Sequence, residues 1–252
     1  MLQKYLTPRW LAAHVIVLVI TAVFLRLGIW QLDRLAERRS SNAAIAERTE
    51  IAPVDLGDLL ENVAVPDREY RRVVVTGAFD VDGEVLIRSR THNGEAGFHV
   101  VTPLALQDGS AVLVNRGWVP LDLDTPPVSS ALPPVGPVEV TATVRESQPA
   151  PALGPRDPSE GKLDRLYWID IPRLQQQSSY PLSPISVELV SQVPAQSGRL
   201  PIPVPARNLT EGSHLAYAVQ WFAFAVIGLG GYGALLHRNR RIGGGEDHRR
   251  SV

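Results

Sequence analysis

The stretches WLAAHVIVLVITAVFLRLGIW (Trp10–Trp30) and LAYAVQWFAFAVIGLGGYGALL (Leu215–Leu236) decide how this chain is organised. The first holds only His14 and Arg26 as ionisable residues, and the second holds none. An α-helix rises ~1.5 Å per residue, so about 20 residues cross ~30 Å of hydrocarbon, and each stretch has that length. Unbroken apolar runs of this length are foreign to soluble cores. Trp10, Trp30 and Trp221 lie towards the ends of the runs, where amphipathic rings favour a membrane interface. A cleaved signal sequence has a shorter apolar stretch and a small-residue cleavage pattern, which is missing after Trp30, so the first run reads as an anchor. The expected organisation is a cytoplasmic N-terminus (1–9), a first transmembrane helix (10–30), an extracytoplasmic domain (31–213), a second transmembrane helix (214–236) and a cytoplasmic tail (237–252).

Charged flanks set the expected orientation. Arg238, Arg240, Arg241, Arg249 and Arg250 follow the second run, whereas only Arg207 stands on its approach. Cytoplasmic flanks are enriched in Lys and Arg, which puts the C-terminus inside, and two spans put the N-terminus there as well, with Lys4 and Arg9. The first run alone is ambiguous, because Arg34, Arg38 and Arg39 sit beyond its outer end. No Arg-rich, Ser-rich transit segment precedes it, which favours a bacterial plasma membrane over an organelle.

Composition removes several function classes. The chain has no cysteine, and Met1 is its one methionine. Disulfides, thiolate zinc and iron–sulfur sites, and copper carriage on Cys or Met ligands are all excluded. A net charge of -1 with no basic stripe argues against nucleic acid as a partner.

Gln31–Glu50 is rich in helix formers, with Leu32, Leu35 and Ala36 spaced for one face, so the first helix is expected to continue as far as Pro53. From Tyr70 the pattern turns strand-like. Arg72–Asp80 and Glu84–Arg90 flank Val81-Asp82-Gly83, while Phe98–Leu106 and Ala111–Trp118 flank Gln107-Asp108-Gly109-Ser110. Asp-Gly between β-rich runs signals a hairpin, because glycine accepts positive φ. Two adjacent hairpins are therefore expected, followed by strands at Val138–Val144, Leu166–Ile169 and Ile185–Val190, and a short helix within Ile171–Ser178. The Pro-rich stretches Pro120–Pro137, Pro149–Pro158 and Pro194–Pro205 read as ordered connections over a single sheet. The fold class that follows is two antiparallel transmembrane helices flanking a β-rich α+β domain with a mainly antiparallel sheet.

Neither a nucleophile elbow, a phosphate-binding loop, a His-Glu-x-x-His pair nor a dinucleotide fingerprint occurs, and the short stretch after Leu236 offers no output domain for a receptor. An enzyme is not the expected class. Ionisable groups in apolar spans draw attention, since burying them is costly without a use. His14 and His214 differ in depth by roughly 23 Å and cannot share a metal, whereas Arg26 lies ~6 Å inside the outer boundary, level with Tyr217–Ala218. Arg26, His214, Tyr217, Gln220 and Trp221 then gather near one level, and a porphyrin wants an axial imidazole, an apolar slot and cations for its propionates. Each has a plainer reading too. His214 also suits an interfacial helix start, Arg26 a side chain that snorkels, and Tyr217 and Trp221 an aromatic belt. His14 reads as a polar group satisfied by helix packing. Gly228, Gly230, Gly231 and Gly233 read as small residues for close contact with the first helix or a partner. Strand alternation puts Arg116 on the face of Val112 and Val114, where it is either a paired structural arginine or a contact to a partner.

These positions carry a family resemblance. Leu27-Gly28-Ile29-Trp30-Gln31 followed by Arg34, the stretches Gly97–Leu104 and Val112–Pro120, Val144-Arg145, Tyr167-Trp168 and His214–Phe222 resemble, in order, motifs of the Surfeit-locus-1 family of cytochrome c oxidase assembly proteins. Many members carry an asparagine two residues before the histidine; Gly212 stands there in this chain. The resemblance implies a non-enzymatic role in handling haem a on its way to oxidase subunit I, with His214 as candidate iron ligand. Arg26, Tyr217 and Trp221 are the further haem candidates from depth. Trp30, Gln31, Arg116 and Trp118 are candidates for contact with subunit I or other oxidase or supercomplex subunits. The alternative is a stably bound accessory subunit without haem of its own.

Overall fold

The computed structural model describes residues 7–247. The chain forms two compact units: a helical unit made of the chain up to Ala44 and from Leu209 onward, and a sheet unit, Ile45–Asn208. Lys4, Arg249 and Arg250, used above for orientation, lie outside the described residues.

Two helices dominate the first unit, α1 (Pro8–Glu50) and α5 (His214–Asp247), and both are long and apolar enough to cross a membrane. α1 does continue past Gln31, as its run of helix formers requires, and stops before Pro53, whose ring excludes the helical conformation from the preceding residue.

In the sheet unit, β1 (Val54–Asp55) leads into the short helices α2 (Leu56–Asn62) and α3 (Val65–Arg68). There follow β2 (Arg72–Phe79), β3 (Val85–His92), β4 (Glu95–Ala105), β5 (Ala111–Pro120), β6 (Pro137–Glu146), β7 (Arg165–Leu166), α4 (Ile171–Gln175) and β8 (Leu182–Val193). The strand order is β1-β2-β6-β8-β5-β4-β3-β7, and β2 also pairs with β4 through Ala78–Ala105 and Phe79–Leu104. That extra pairing closes β2, β6, β8, β5 and β4 into a five-membered ring. Its inward residues form one core cluster: Val73 and Val75, Val138 to Val144 at alternate positions, Ile185 and Val187, Val112 and Val114, and Leu104, joined by Leu56 and Leu59 of α2. Closure removes edges that would otherwise template pairing with another chain. Gly77 makes it possible, because a Cβ there would stand 2.4 Å from the Ala105 carbonyl oxygen.

The sheet is mixed rather than mainly antiparallel. β5 and β8 run parallel, as do β1 with β2 and β3 with β7. A ring that alternates up and down closes only with an even number of strands. With five, one neighbouring pair must be parallel, and it is β5–β8.

The hairpin on Gln107–Ser110 forms, with Gly109 at φ 85° and the Asp108 side chain accepting from the Ser110 backbone at 2.8 Å. The hairpin expected on Val81-Asp82-Gly83 does not. Those residues form a single 3₁₀ turn in which Asp80 caps the Asp82 N–H, and β2 and β3 are not paired. The edge of β2 at this corner is taken by β4. β3 instead makes a hairpin with β4 over Asn93-Gly94, whose φ values of 50° and 85° suit the tight turn that pairs twisted strands.

Arg116 continues the inward row of Val112 and Val114 and is 1 % exposed. It donates to Glu84 (3.2 Å), to the Ala131 carbonyl (2.5 Å) and to Gln196 (3.2 Å), and it lies 5.3 Å from the Phe79 ring centre. Glu84 also accepts from the Thr102 hydroxyl (2.9 Å) and the Val128 N–H (2.8 Å). Two of the Pro-rich connections are thereby bonded to the ring. Burial pushes the Glu84 carboxyl up and the Arg116 guanidinium down to about 10, and the bonds between them work against both shifts.

Stranding one charge of a buried pair is costlier than removing both. Glu84→Ala or Arg116→Leu is therefore expected to lower unfolding free energy by about 3–5 kcal/mol, and the Glu84→Gln/Arg116→Met pair by clearly less. Denaturation followed by tryptophan fluorescence measures this. A second expectation concerns His99 of β4, which burial and the Arg90 charge hold at about 4, against 6.5 for a free histidine. As pH falls from 6.5 to 4 the unfolded chain takes the proton first. Stability is thus complete above that window and falls within it by up to about 3 kcal/mol. His99→Gln is expected to flatten this part of the melting-temperature profile.

Candidate functional site

α1 carries a seven-residue repeat that the apolar composition hides. His14, Thr21, Gly28, Leu35 and Asn42 recur every seven residues, with Val17, Phe24, Gln31 and Arg38 between them, and all are buried or half-buried. Spacing of this kind keeps one seam of a helix against a partner. α5 answers from His214, Ala218, Trp221, Phe222, Ala225 and Tyr232, of which Ala218 and Ala225 are fully buried.

The contacts run antiparallel along the seam. The Tyr232 hydroxyl lies 2.6 Å from His14 Nδ1, and Phe24 packs against Trp221 and Phe224 with ring centres 5.7 and 5.8 Å apart. A Cβ on Gly28 would come within 2.6 Å of the Phe222 ring, so glycine sets the distance here. Gln31 Oε1 lies 2.9 Å from His214 Nδ1. The two histidine contacts fall at residues 14 and 31 of α1, about 25 Å apart, which keeps the histidines from a shared metal.

α5 begins at His214, while α1 runs on beside an extended segment. Asn42 Nδ2 donates to the carbonyls of Leu209 (2.8 Å) and Thr210 (3.2 Å), and Arg38 donates to Thr210 (3.3 Å). Arg39 grips Glu211 through two bonds of 2.8 Å, which holds that carboxyl below its ordinary range. Gly212 then takes φ +72°, a left-handed turn that redirects the chain into the helix. Asparagine is among the non-glycine residues that best tolerate this conformation. Gly212 in place of the asparagine common in the resembling family therefore preserves the backbone requirement.

His214 is half-buried in the first turn of α5. Its Nδ1 faces an amide oxygen that can only accept, and its Nε2 has no hydrogen-bond partner among the described residues. That is the donor set of a metal-binding imidazole, one nitrogen oriented and the other free. Trp221, two turns on, lies in the seam with Phe24 rather than out in an aromatic belt.

Arg26 is not brought to this group. It is exposed and stands two residues from both Phe24 and Gly28, about 200° round the helix from the seam. It makes no hydrogen bond or ion pair among the described residues. Tyr217, 49 % exposed, and Gln220 also point out of the seam. Nor do Gly228, Gly230, Gly231 and Gly233 meet α1, since each borders open space. His14 is satisfied by Tyr232, as its packing role requires.

The partner-contact candidates divide. Trp30 is exposed, with the Arg34 guanidinium 5.7 Å from its ring centre, whereas Gln31 faces inward to His214. Arg116 and Trp118 are buried inside the sheet unit, and Arg116 is paired there with Glu84. The stretch Asn115–Trp118 is bonded internally. Asn115 accepts from the Gly117 N–H and touches His99, and Trp118 exchanges backbone bonds of 2.7 and 2.8 Å with Ile202. Gly117, at φ +133°, lets that Ile202 carbonyl approach to where a Cβ would stand only 2.2 Å away.

Comparison with known proteins agrees with the motif order. The model of the SURF1 family matches residues 18–226. An uncharacterised SURF1-like protein of Mycobacterium tuberculosis is 32 % identical over 248 residues, covering 94 % of this chain and 88 % of that protein. Surfeit locus protein 1 of Arabidopsis thaliana is 26 % identical, covering 81 % and 72 %, and a SURF1-like protein of Drosophila melanogaster is 28 % identical, covering 82 % and 72 %. The chain belongs to the SURF1 family.

Proposed function

We propose that this protein is a two-span factor of the bacterial plasma membrane that assists cytochrome c oxidase assembly by holding haem a for insertion into subunit I. The family is generally known for oxidase assembly. The observation that carries the haem reading is the state of His214, an imidazole at the start of an apolar helix with Nδ1 bonded and no partner for Nε2 among the described residues. Bound haem would supply an iron for which such a nitrogen could serve as a ligand. The chain's part is to orient the ring through Gln31, to continue the seam two turns further on with the aromatic pair Phe24 and Trp221, and to anchor the segment before the ring through Arg38, Arg39 and Asn42. This is carriage and not turnover. With Arg238, Arg240 and Arg241 beyond the second span, the expected orientation has both termini cytoplasmic and the sheet unit outside.

One observation favours the alternative of an accessory subunit without haem. Among the described residues, Arg26 faces away from the seam, Arg39 is paired with Glu211 and Arg38 donates to the Thr210 carbonyl, so none of the three is turned toward His214 to receive a propionate.

Reconstitution of purified protein with haem a separates the two, since wild type is expected to give a ligated spectrum that His214→Ala loses. No binding by wild type would favour the accessory role. A deletion strain is expected to make oxidase deficient in haem a and in activity, and normal oxidase in that strain would refute an assembly function. Because the chain lacks cysteine, single introduced cysteines report topology cleanly. A membrane-impermeant maleimide is expected to label Asp108→Cys and to spare Arg238→Cys on intact cells; the reverse pattern would invert the orientation.

A further inference from the structure

We infer that Gln31 is the positioning residue that makes His214 a ligand, by fixing its imidazole in the tautomer with the proton on Nδ1 and the Nε2 lone pair free. This rests on the haem reading above and specifies how the chain prepares for it.

In a neutral imidazole one nitrogen donates and the other accepts, and the hydrogen bond made by one decides the state of the other. An amide oxygen can only accept. With Gln31 Oε1 at 2.9 Å, the proton of His214 belongs on Nδ1 and the lone pair on Nε2. His14 provides an internal contrast on the same seam. Its Nδ1 meets the Tyr232 hydroxyl, a group that can donate or accept, so that contact by itself selects no tautomer, whereas the Gln31 contact at His214 does.

Gly212 stands beside Nε2. A Cβ on that residue would sit 3.6 Å from His214 Cδ2 and 3.8 Å from Nε2, so a longer side chain would border the free nitrogen. The backbone there is fixed in turn, since Asn42, Arg38 and Arg39 hold residues 209–211 along α1. Gln31 belongs to the same helix, seven residues before Arg38. One helix therefore sets both the direction of the ring and the position of its backbone. Partners that orient a ligating histidine in this way commonly change metal affinity by about 10–100-fold when removed.

The test uses the full chain in nanodiscs with ¹⁵N-labelled histidine, first without haem. Long-range ¹⁵N–¹H correlations, with the His214 signal identified by its loss in His214→Gln, are expected to show the Nδ1–H form in wild type. Gln31→Leu is expected to lose that form, and Gln31→Glu, which also accepts, to keep it. Titration with haem a is then expected to show a loss of about 10–100-fold in affinity for Gln31→Leu, with a weakened axial-histidine spectrum, and near-normal binding for Gln31→Glu. An Nε2–H form in wild type overturns the proposal, as does unchanged haem affinity in Gln31→Leu. A glutamine that merely packs the helices would leave tautomer and spectrum alone. If wild type shows the expected tautomer but binds no haem, the haem reading itself has failed and the iron-directed role of Gln31 falls with it. If haem binds equally to wild type and His214→Ala, the ligand assignment has failed and the role of Gln31 with it.

Discussion

The guanidinium of Arg116 is the point on which the sheet unit depends. Through it and Glu84, the start of β3 and positions on β4 and β5 are bonded to the connections containing Val128, Ala131 and Gln196. A charge in such a place is tolerated only when nearly every donor finds an acceptor, and only its Nε lacks one. A five-stranded ring is small enough for one long side chain to reach several of its walls. A shorter aliphatic residue would fill part of the volume and leave the loops without an anchor.

The helical unit uses polar residues in the opposite way. Thr21, Gln31, Arg38 and Asn42 stand where a simple coiled coil would place leucine. Each exchange lowers apolar packing and raises specificity of register, because hydrogen bonds at Gln31, Arg38 and Asn42 are met at one alignment of the chain. Orientation of a histidine requires that kind of register. The seam thus reads as a device for precision more than for cohesion.

How much of this the residues disclose varies with the physics involved. The long apolar runs and the Asp108-Gly109 hairpin are legible because each follows from a local pattern. Asp82-Gly83 marked a turn correctly but not which strands it joins, since pairing was decided by β4 reaching β2 from further along the chain. The Asn93-Gly94 hairpin is also a local pattern, but β3 and β4 extend to it beyond the residues whose alternation marks them as strands. The parity of the ring could not be read locally, because strand count and closure are properties of the whole sheet. Depth placed Arg26 near the level of Tyr217, yet level says nothing of azimuth. The seven-residue repeat in α1 identifies the seam from which Arg26 turns away, and that repeat was obscured by the uniform hydrophobicity around it. Gln31 was visible as a family residue, but its hydrogen bond to His214 spans 183 positions.

Closure of the ring also has a direction in time. A chain emerging N-terminus first presents β2 to β5 well before β8, and the parallel β5–β8 pairing cannot form until Leu182–Val193 has been made. Until then β5 and β6 each keep an open edge, and contacts of such sequence separation form slowly. The nascent sheet is therefore at its most adhesive in the interval before its last strand arrives, when open edges invite pairing with the wrong chain.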